Sequence, residues 1–368
     1  MTADAATPAE SIRPRACLEH LPAYIPGAVP DTAGRTVYKV SSNESPFEPL
    51  PAVEAAAIDA IRHANRYPDM GCLALRTALS ERHGVTPAQI AVSTGSSAVI
   101  GDLIRALVDQ GDEVVYAWRS FEAYPILVGA HGGTSVPVPL TATHEHDLDA
   151  MAAAITERTK LVLVCTPNNP SGTSITTEQM QAFLQKVPAH VVVGIDEAYR
   201  EFDDPATVLD TEALFHAYSN VVLLRTFSKM QGLAGLRIGY AVAHPVLATA
   251  LVKVSVPFGA SLPAQAAAFA SLDPEAQREL VKRAEWLCSE RDRVQDALAA
   301  DGWDLPRSRG NFVYFPLGER TADFAAFCEQ RGLIVRPFLG EGARVTIAEQ
   351  EANDLLIQIA REWRQAEH

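Results

Sequence analysis

The sequence is short of most features that would place a chain outside the ordinary globular class. Its 368 residues hold five cysteines, Cys17, Cys72, Cys165, Cys288 and Cys328, an odd and scattered set with no C-x-x-C pair. That argues against a disulfide framework and a zinc site, and reduced thiols in a cytoplasmic protein are the simple reading. No run of eighteen apolar residues occurs, so nothing is expected to span a membrane. Met1 to Glu10 is polar and alanine-rich without an apolar core, so no signal peptide is expected. Basic residues are in the minority: 31 Lys and Arg against 45 Asp and Glu give a formal charge of −14. A nucleic-acid or anionic-membrane partner would want a basic surface and is not expected. Small anionic substrates stay open, because a local arginine cluster can dominate the field inside a cleft. No internal repeat or low-complexity tract is visible.

What is present describes a globular protein, with 48% hydrophobic and 21% charged residues and enough length for two domains. The first forty residues, with Pro14, Pro22, Pro26, Gly27 and Pro30, read as an extended arm, and Pro51 to Arg66 as a helix. From about residue 88, β-branched runs alternate with amphipathic stretches. The spacing predicts strands at Ile90–Ser93, Glu113–Ala117, Thr134–Pro139, Leu161–Cys165, Val191–Ile195, Val221–Thr226 and Ile238–Ala243. Helices are expected between them, at Ala98–Val108, Leu148–Ile155 and Thr177–Lys186 among others. This alternation indicates an α/β fold with a mainly parallel seven-stranded sheet covered on both faces. After Ser255 the pattern changes to one long helix, Pro274 to Ala300, followed by short strands at Phe312–Phe315, Ile334–Arg336 and Arg344–Ile347 and two more helices, a smaller α+β unit. The expected organisation is an arm over 1–44 that joins the small domain, a large domain over 45–250 and a small C-terminal domain over 251–368.

Four motifs follow predicted strands, where ligands of open α/β sheets collect. Thr94-Gly-Ser-Ser-Ala98 places Ser96 and Ser97 at a helix N-terminus, suited to a phosphate or to a plain N-cap. Thr166-Pro-Asn-Asn-Pro-Ser-Gly-Thr173 is a rigid turn that can aim the Asn169 amide at an oxygen. Asp196-Glu-Ala-Tyr199 sets an acid at the tip of a buried strand, expensive unless a cation pairs with it. Arg200 is one candidate partner for that acid, and a protonated pyridine nitrogen is another. Lys229 lies in Arg225-Thr-Phe-Ser-Lys-Met-Gln-Gly-Leu-Ala-Gly-Leu-Arg237, an amine among hydroxyls and glycines with an arginine eight positions on. By itself this is a lysine before a glycine-rich turn. Together, the four supply what pyridoxal phosphate requires. Lys229 would take its aldehyde and Asp196 its ring nitrogen. Asn169 and Tyr199 would serve its phenolic oxygen, Ser96, Ser97, Ser228 and Arg237 its phosphate, and Phe121 would stack on its ring.

With Ser42-Asn-Glu-Ser-Pro46 and Arg66-Tyr-Pro-Asp69, these motifs resemble those of the fold-type I aminotransferases. The branch is that of histidinol-phosphate aminotransferase and its aromatic relatives, and the likeness runs from about Tyr24 to the C-terminus. The resemblance implies a homodimer with active sites at the interface, in which Tyr67 reaches the cofactor phosphate of the partner subunit. Arginine suits a substrate carboxylate, and Arg344 and Arg336 are the candidates. By resemblance Arg344 takes the carboxylate, with Arg336 near it. Tyr24 would line the side-chain pocket, and Asn43 and Asn311 match the pattern. The resemblance further implies small-molecule substrates, amino acids and 2-oxo acids, with 2-oxoglutarate as acceptor. Trp118-Arg-Ser-Phe-Glu-Ala-Tyr124 is closer to the phenylalanine-type relatives of actinobacteria than to the histidine-pathway enzymes, so an aromatic donor is expected, with histidinol phosphate as the alternative. Decarboxylation and C–S lyase chemistry use the same scaffold.

Overall fold

In the computed structural model, residues 13–19, 21–23 and 36–366 are described. Twelve strands occur among them: β1 (Tyr38–Lys39), β2 (Ile90–Ser93), β3 (Glu113–Trp118), β4 (Thr134–Pro139), β5 (Thr159–Cys165), β6 (Val192–Asp196), β7 (Val221–Thr226), β8 (Gly239–Val242), β9 (Phe312–Phe315), β10 (Leu333–Ile334), β11 (Arg336–Phe338) and β12 (Gly342–Thr346). Seven form one sheet in the order β2-β8-β7-β6-β5-β3-β4. Only β8 runs against its neighbours, antiparallel to both β2 and β7, while the remaining pairs are parallel. The architecture is the expected α/β one.

Alternation along the central strands explains why they read as unbroken apolar runs. Val162 and Val164 of β5 join one hydrophobic cluster, whereas Leu161, Leu163 and Cys165 join another on the opposite face. Both faces are therefore dry, and each fully buried aliphatic side chain contributes roughly 1.5–3 kcal/mol.

Several element ends differ from expectation by one or two residues, and the strand expected over Ile334–Arg336 is divided at Val335 into β10 and β11. The first helix stops at Ile61, and residues 62–64 continue as tighter turns, with His63 N donating to Ala60 O at 3.1 Å and Ala64 N to Ile61 O at 3.0 Å. Tyr67 precedes Pro68, which disfavours helical backbone there. Strand β6 extends through Asp196, because its carbonyl accepts from Thr166 N at 3.0 Å and the ladder continues one residue further.

The C-terminal strands form an antiparallel β11-β12-β9 sheet, and β1 pairs in parallel with β10. Backbone bonds tie residues 38–40 into this part: Tyr38 N to Gly332 O at 2.8 Å, Val40 N to Ile334 O at 2.9 Å, and Thr346 N to Val40 O at 2.8 Å. The long helix spans Pro274–Ala300, as the sequence predicts. The ends of β5, β6 and β7 consequently face the segment 41–44 and the tips of β11 and β12 across one cleft.

Candidate active site

That cleft is a cavity of about 350 Å³. Ser96, Ser97, Phe121, Asn169, Asp196, Tyr199, Ser228, Lys229, Arg237, Arg336 and Arg344 all line it, so residues spread over most of the chain converge on one volume.

Lys229 follows β7, and its Nζ donates to Asn43 O at 2.9 Å and Ser42 O at 3.2 Å. Burial, reinforced by the positive charge of Arg344, lowers the ammonium from its ordinary value to about 7. The amine is therefore nucleophilic near neutrality, where an exposed lysine would be fully charged. Capture of pyridoxal, which lacks the phosphate and its own ionisation, should accelerate as pH rises through about 7 in the cofactor-free protein. Following the absorbance of the adduct across that range checks this. A midpoint near the ordinary lysine value would show that the pocket does not tune the amine.

Asp196 ends β6 and is 3% exposed. Its Oδ2 accepts from the Tyr124 hydroxyl at 2.7 Å, while the buried Oδ1 has no hydrogen-bond partner. Desolvation raises the carboxyl to about 6, against the pull of the Tyr124 hydrogen bond. A buried acid with one unused oxygen facing a cavity fits a cationic N–H partner, the requirement of a protonated pyridine ring. Arg200 does not meet that need; it pairs instead with Glu197 at 2.9 Å.

Tyr199 is buried, and its hydroxyl oxygen accepts from Asn43 Nδ2 at 3.0 Å and Asn169 Nδ2 at 3.4 Å. Both bonds use its lone pairs and leave its proton for an acceptor in the cavity. Burial also pushes the phenol upward, so that proton stays in place. The two asparagines of the 166–173 turn divide the work. Asn168 accepts from Ser120 Oγ at 2.8 Å and donates to Arg119 O at 3.1 Å, stitching the loops after β3 and β5 together. Asn169 is left to join Tyr199 to Arg344, whose Nη1 donates to Asn169 Oδ1 and whose Nη2 donates to Ser41 O at 2.7 Å.

An anion cradle forms at the opposite end. Helix Ser96–Leu107 begins there, adding the positive end of its dipole to Ser96 and Ser97. Gly95 has φ +91°, and a Cβ on it would lie 2.6 Å from Arg237 Nη2, so only glycine lets that guanidinium in so closely. Arg237 Nη1 donates to Ser228 Oγ at 3.5 Å and to Ala234 O at 3.0 Å. Donors for a phosphate, an aldehyde-seeking amine, an acid and a phenol thus occur in one cavity, and this set fits pyridoxal phosphate.

Asn43 lies behind the wall, fully buried at φ 52°, a conformation asparagine tolerates better than most residues. It exchanges hydrogen bonds with Thr346 at 2.9 and 3.1 Å, and its carbonyl also accepts from Asn311 Nδ2 at 3.4 Å. Tyr67 lies away from this cavity, 81% exposed and stacked on Phe258 at 4.7 Å. Tyr24 falls outside the described residues. Sequence reasoning missed Tyr124 as the partner of Asp196 and Ser41, Ser42 and Glu44 as lining residues. The available signal for Tyr124 was a tyrosine one turn after Phe121 on an otherwise apolar helix.

Comparison with known proteins follows the same lines. The model of the family "Aminotransferase class I and II" matches residues 35–359. An aromatic amino acid aminotransferase of Streptomyces coelicolor is 53% identical over 350 residues, covering 95% of this chain and 97% of the relative. One from Rhodococcus jostii is 49% identical over 348 residues, covering 95% of each. Among solved structures, histidinol-phosphate aminotransferase from Sinorhizobium meliloti in complex with pyridoxal-5'-phosphate is similar at TM-score 0.82 and 31% identity, covering 91% of this chain and 93% of that one. Aspartate aminotransferase from Thermus thermophilus with maleate gives TM-score 0.79 at 26% identity, covering 90% and 92%.

Proposed function

The chain belongs to the class I and II aminotransferases, and on that premise we propose that it transfers the amino group of phenylalanine or tyrosine to 2-oxoglutarate. It is a pyridoxal-phosphate-dependent transaminase. The observation that carries the site assignment is the amine of Lys229, brought down to about 7 in the cavity that also holds the unpartnered oxygen of Asp196.

Bound pyridoxal phosphate supplies an aldehyde that takes up the amine and a ring that draws electrons from the substrate carbon. The residues supply the rest. Ser96, Ser97, Ser228 and Arg237 would hold the phosphate, Asp196 would keep a proton on the ring nitrogen, and Tyr199 would donate to the phenolic oxygen with Asn169 beside it. Phe121 would line the ring's place. Arg344 grips the substrate α-carboxylate with its planar fork. With the cofactor bound, the free Lys229 Nζ would serve as the general base for the proton on the donor α-carbon. Arg344 opposes decarboxylation, because it stabilises the carboxylate that would have to leave.

Relatives named aromatic amino acid aminotransferases support the aromatic donor, as does Phe121 in the cavity wall; Phe338 packs near both arginines. Arg336 and Arg344 each have the guanidinium carbon 5.9 Å from the centre of the Phe338 ring. A half-reaction screen tests this. Phenylalanine and tyrosine should consume the absorbance of lysine-bound cofactor at least about tenfold faster than histidinol phosphate, the discrimination that 1.4 kcal/mol of differential binding gives. Faster conversion by histidinol phosphate would overturn the donor assignment.

The proposal includes a homodimer in which exposed Tyr67 reaches the cofactor phosphate of the other copy. A monomeric mass in solution would remove that part. It also keeps the division at 1–44, 45–250 and 251–368, with the pairing of β1 and β10 supporting the arm's place beside the C-terminal unit. Cytoplasmic residence is proposed from five free cysteines, of which Cys72, Cys165 and Cys328 are buried. Among the described residues no helix is long and apolar enough to cross a membrane.

A further inference from the structure

Arg336 and Arg344 stand directly opposite each other in the register of β11 and β12. Like charges facing across a strand pair repel, so each guanidinium needs compensation. The two are compensated differently. Arg344 donates to the neutral oxygens of Asn169 and Ser41. Arg336 holds a carboxylate in a fork: its Nη2 donates to Glu122 Oε1 at 2.7 Å and its Nε to Glu122 Oε2 at 3.2 Å. Bidentate pairs of this kind are among the strongest side-chain contacts, and the Arg336 side chain is only 9% exposed. Glu122 follows Phe121 in the chain, and Phe121 and Arg336 both line the cavity.

We propose that Glu122 is a specificity residue that disables Arg336 as a second anion site and so biases the pocket toward donors with uncharged aromatic side chains. This rests on the reading that Arg344 takes the α-carboxylate. A donor held there, with its α-carbon at Lys229, directs its side chain toward the wall formed by Phe121 and Arg336. An aromatic ring leaves the Glu122–Arg336 pair intact. A side chain ending in a carboxylate gains from Arg336 only by displacing Glu122, whose negative charge repels it. The discrimination therefore comes from an unfavourable element aimed at the wrong substrate as well as from contacts to the right one. The same repulsion weakens 2-oxoglutarate, whose distal carboxylate faces the same wall.

The test is Glu122→Gln, which keeps the shape and leaves a neutral acceptor for Arg336. The kcat/KM for glutamate and for aspartate should rise at least about tenfold, the value of a gained charge-assisted contact, and KM for 2-oxoglutarate should fall. The kcat/KM for phenylalanine should stay within about threefold, the loss expected of a surface-scale change. Adding Arg336→Gln should cancel the gain for anionic donors, because the freed guanidinium is its source. Should the first variant fail to fold, Glu122→Ala must show the same sign. Equal losses for neutral and anionic donors would reduce the pair to a structural link, and unchanged use of anionic donors would overturn the proposal. The readout is a ratio between anionic and neutral donors within each variant. It therefore fails separately from the aromatic assignment, which falls only if the wild-type protein converts neither phenylalanine nor tyrosine.

Discussion

Replacing Lys229 with alanine is expected to remove at least about 10⁴-fold of the transaminase kcat/KM, the upper range for a single proton-transfer group. The loss has two parts. The covalent hold on the cofactor disappears, and so does the amine that, alone among the described residues lining the cavity, can take the donor α-proton. The fold should survive. Lys229 contributes hydrogen bonds to Ser42 O and Asn43 O, but Asn43 stays anchored through Thr346 and Tyr199. Removing an amine whose charge burial already disfavours should not harm stability. The check is a steady-state assay beside a thermal melt and the visible spectrum. Activity within a hundredfold of wild type, with the fold intact, would refute the role assigned to Lys229.

Asp196→Asn should cost about 10²–10³-fold in kcat, comparable to removing one preorganised electrostatic contact. The substitution conserves volume and leaves an oxygen for the Tyr124 hydroxyl, so the change is chiefly one of charge. An amide cannot hold a proton on the ring nitrogen, and the ring then accepts electrons poorly. Lys229 remains, so the variant should still capture the cofactor and show its absorbance. Single-turnover mixing with phenylalanine would separate the two effects: capture preserved, proton removal slow. A variant with unchanged single-turnover rate would show that the acid pairs with something other than the ring.

The strands of the seven-stranded sheet were legible to within two residues because their cause is local. Ile90–Ser93, Thr134–Pro139 and Val221–Thr226 have the predicted ends, set by β-branched runs and the turn residues beside them. The chemical residue types were legible for the same reason, since Asp196, Asn169 and Lys229 each sit in a turn or strand end whose composition is unusual within a few residues. The difference between Asn168 and Asn169 was not legible. Both follow the same proline, and only the neighbouring loop after β3 makes one structural and leaves the other for the site.

What the sequence determined alone was the inventory: an α/β chain, a run of buried strands, and the acid, amine, hydroxyls and arginines that one cofactor demands. Tertiary structure decided how they act. Glu122 meets Arg336 across 214 positions, and Lys229 reaches Asn43 across 186. These contacts join segments that the strand order and the pairing of residues 38–40 beside β10 bring together. Periodicity and turn chemistry act over a few residues, whereas strand order arises from the packing of the whole core. The same packing excludes water from Lys229 and Asp196, and that desolvation, absent from any local pattern, moves both groups toward neutral pH.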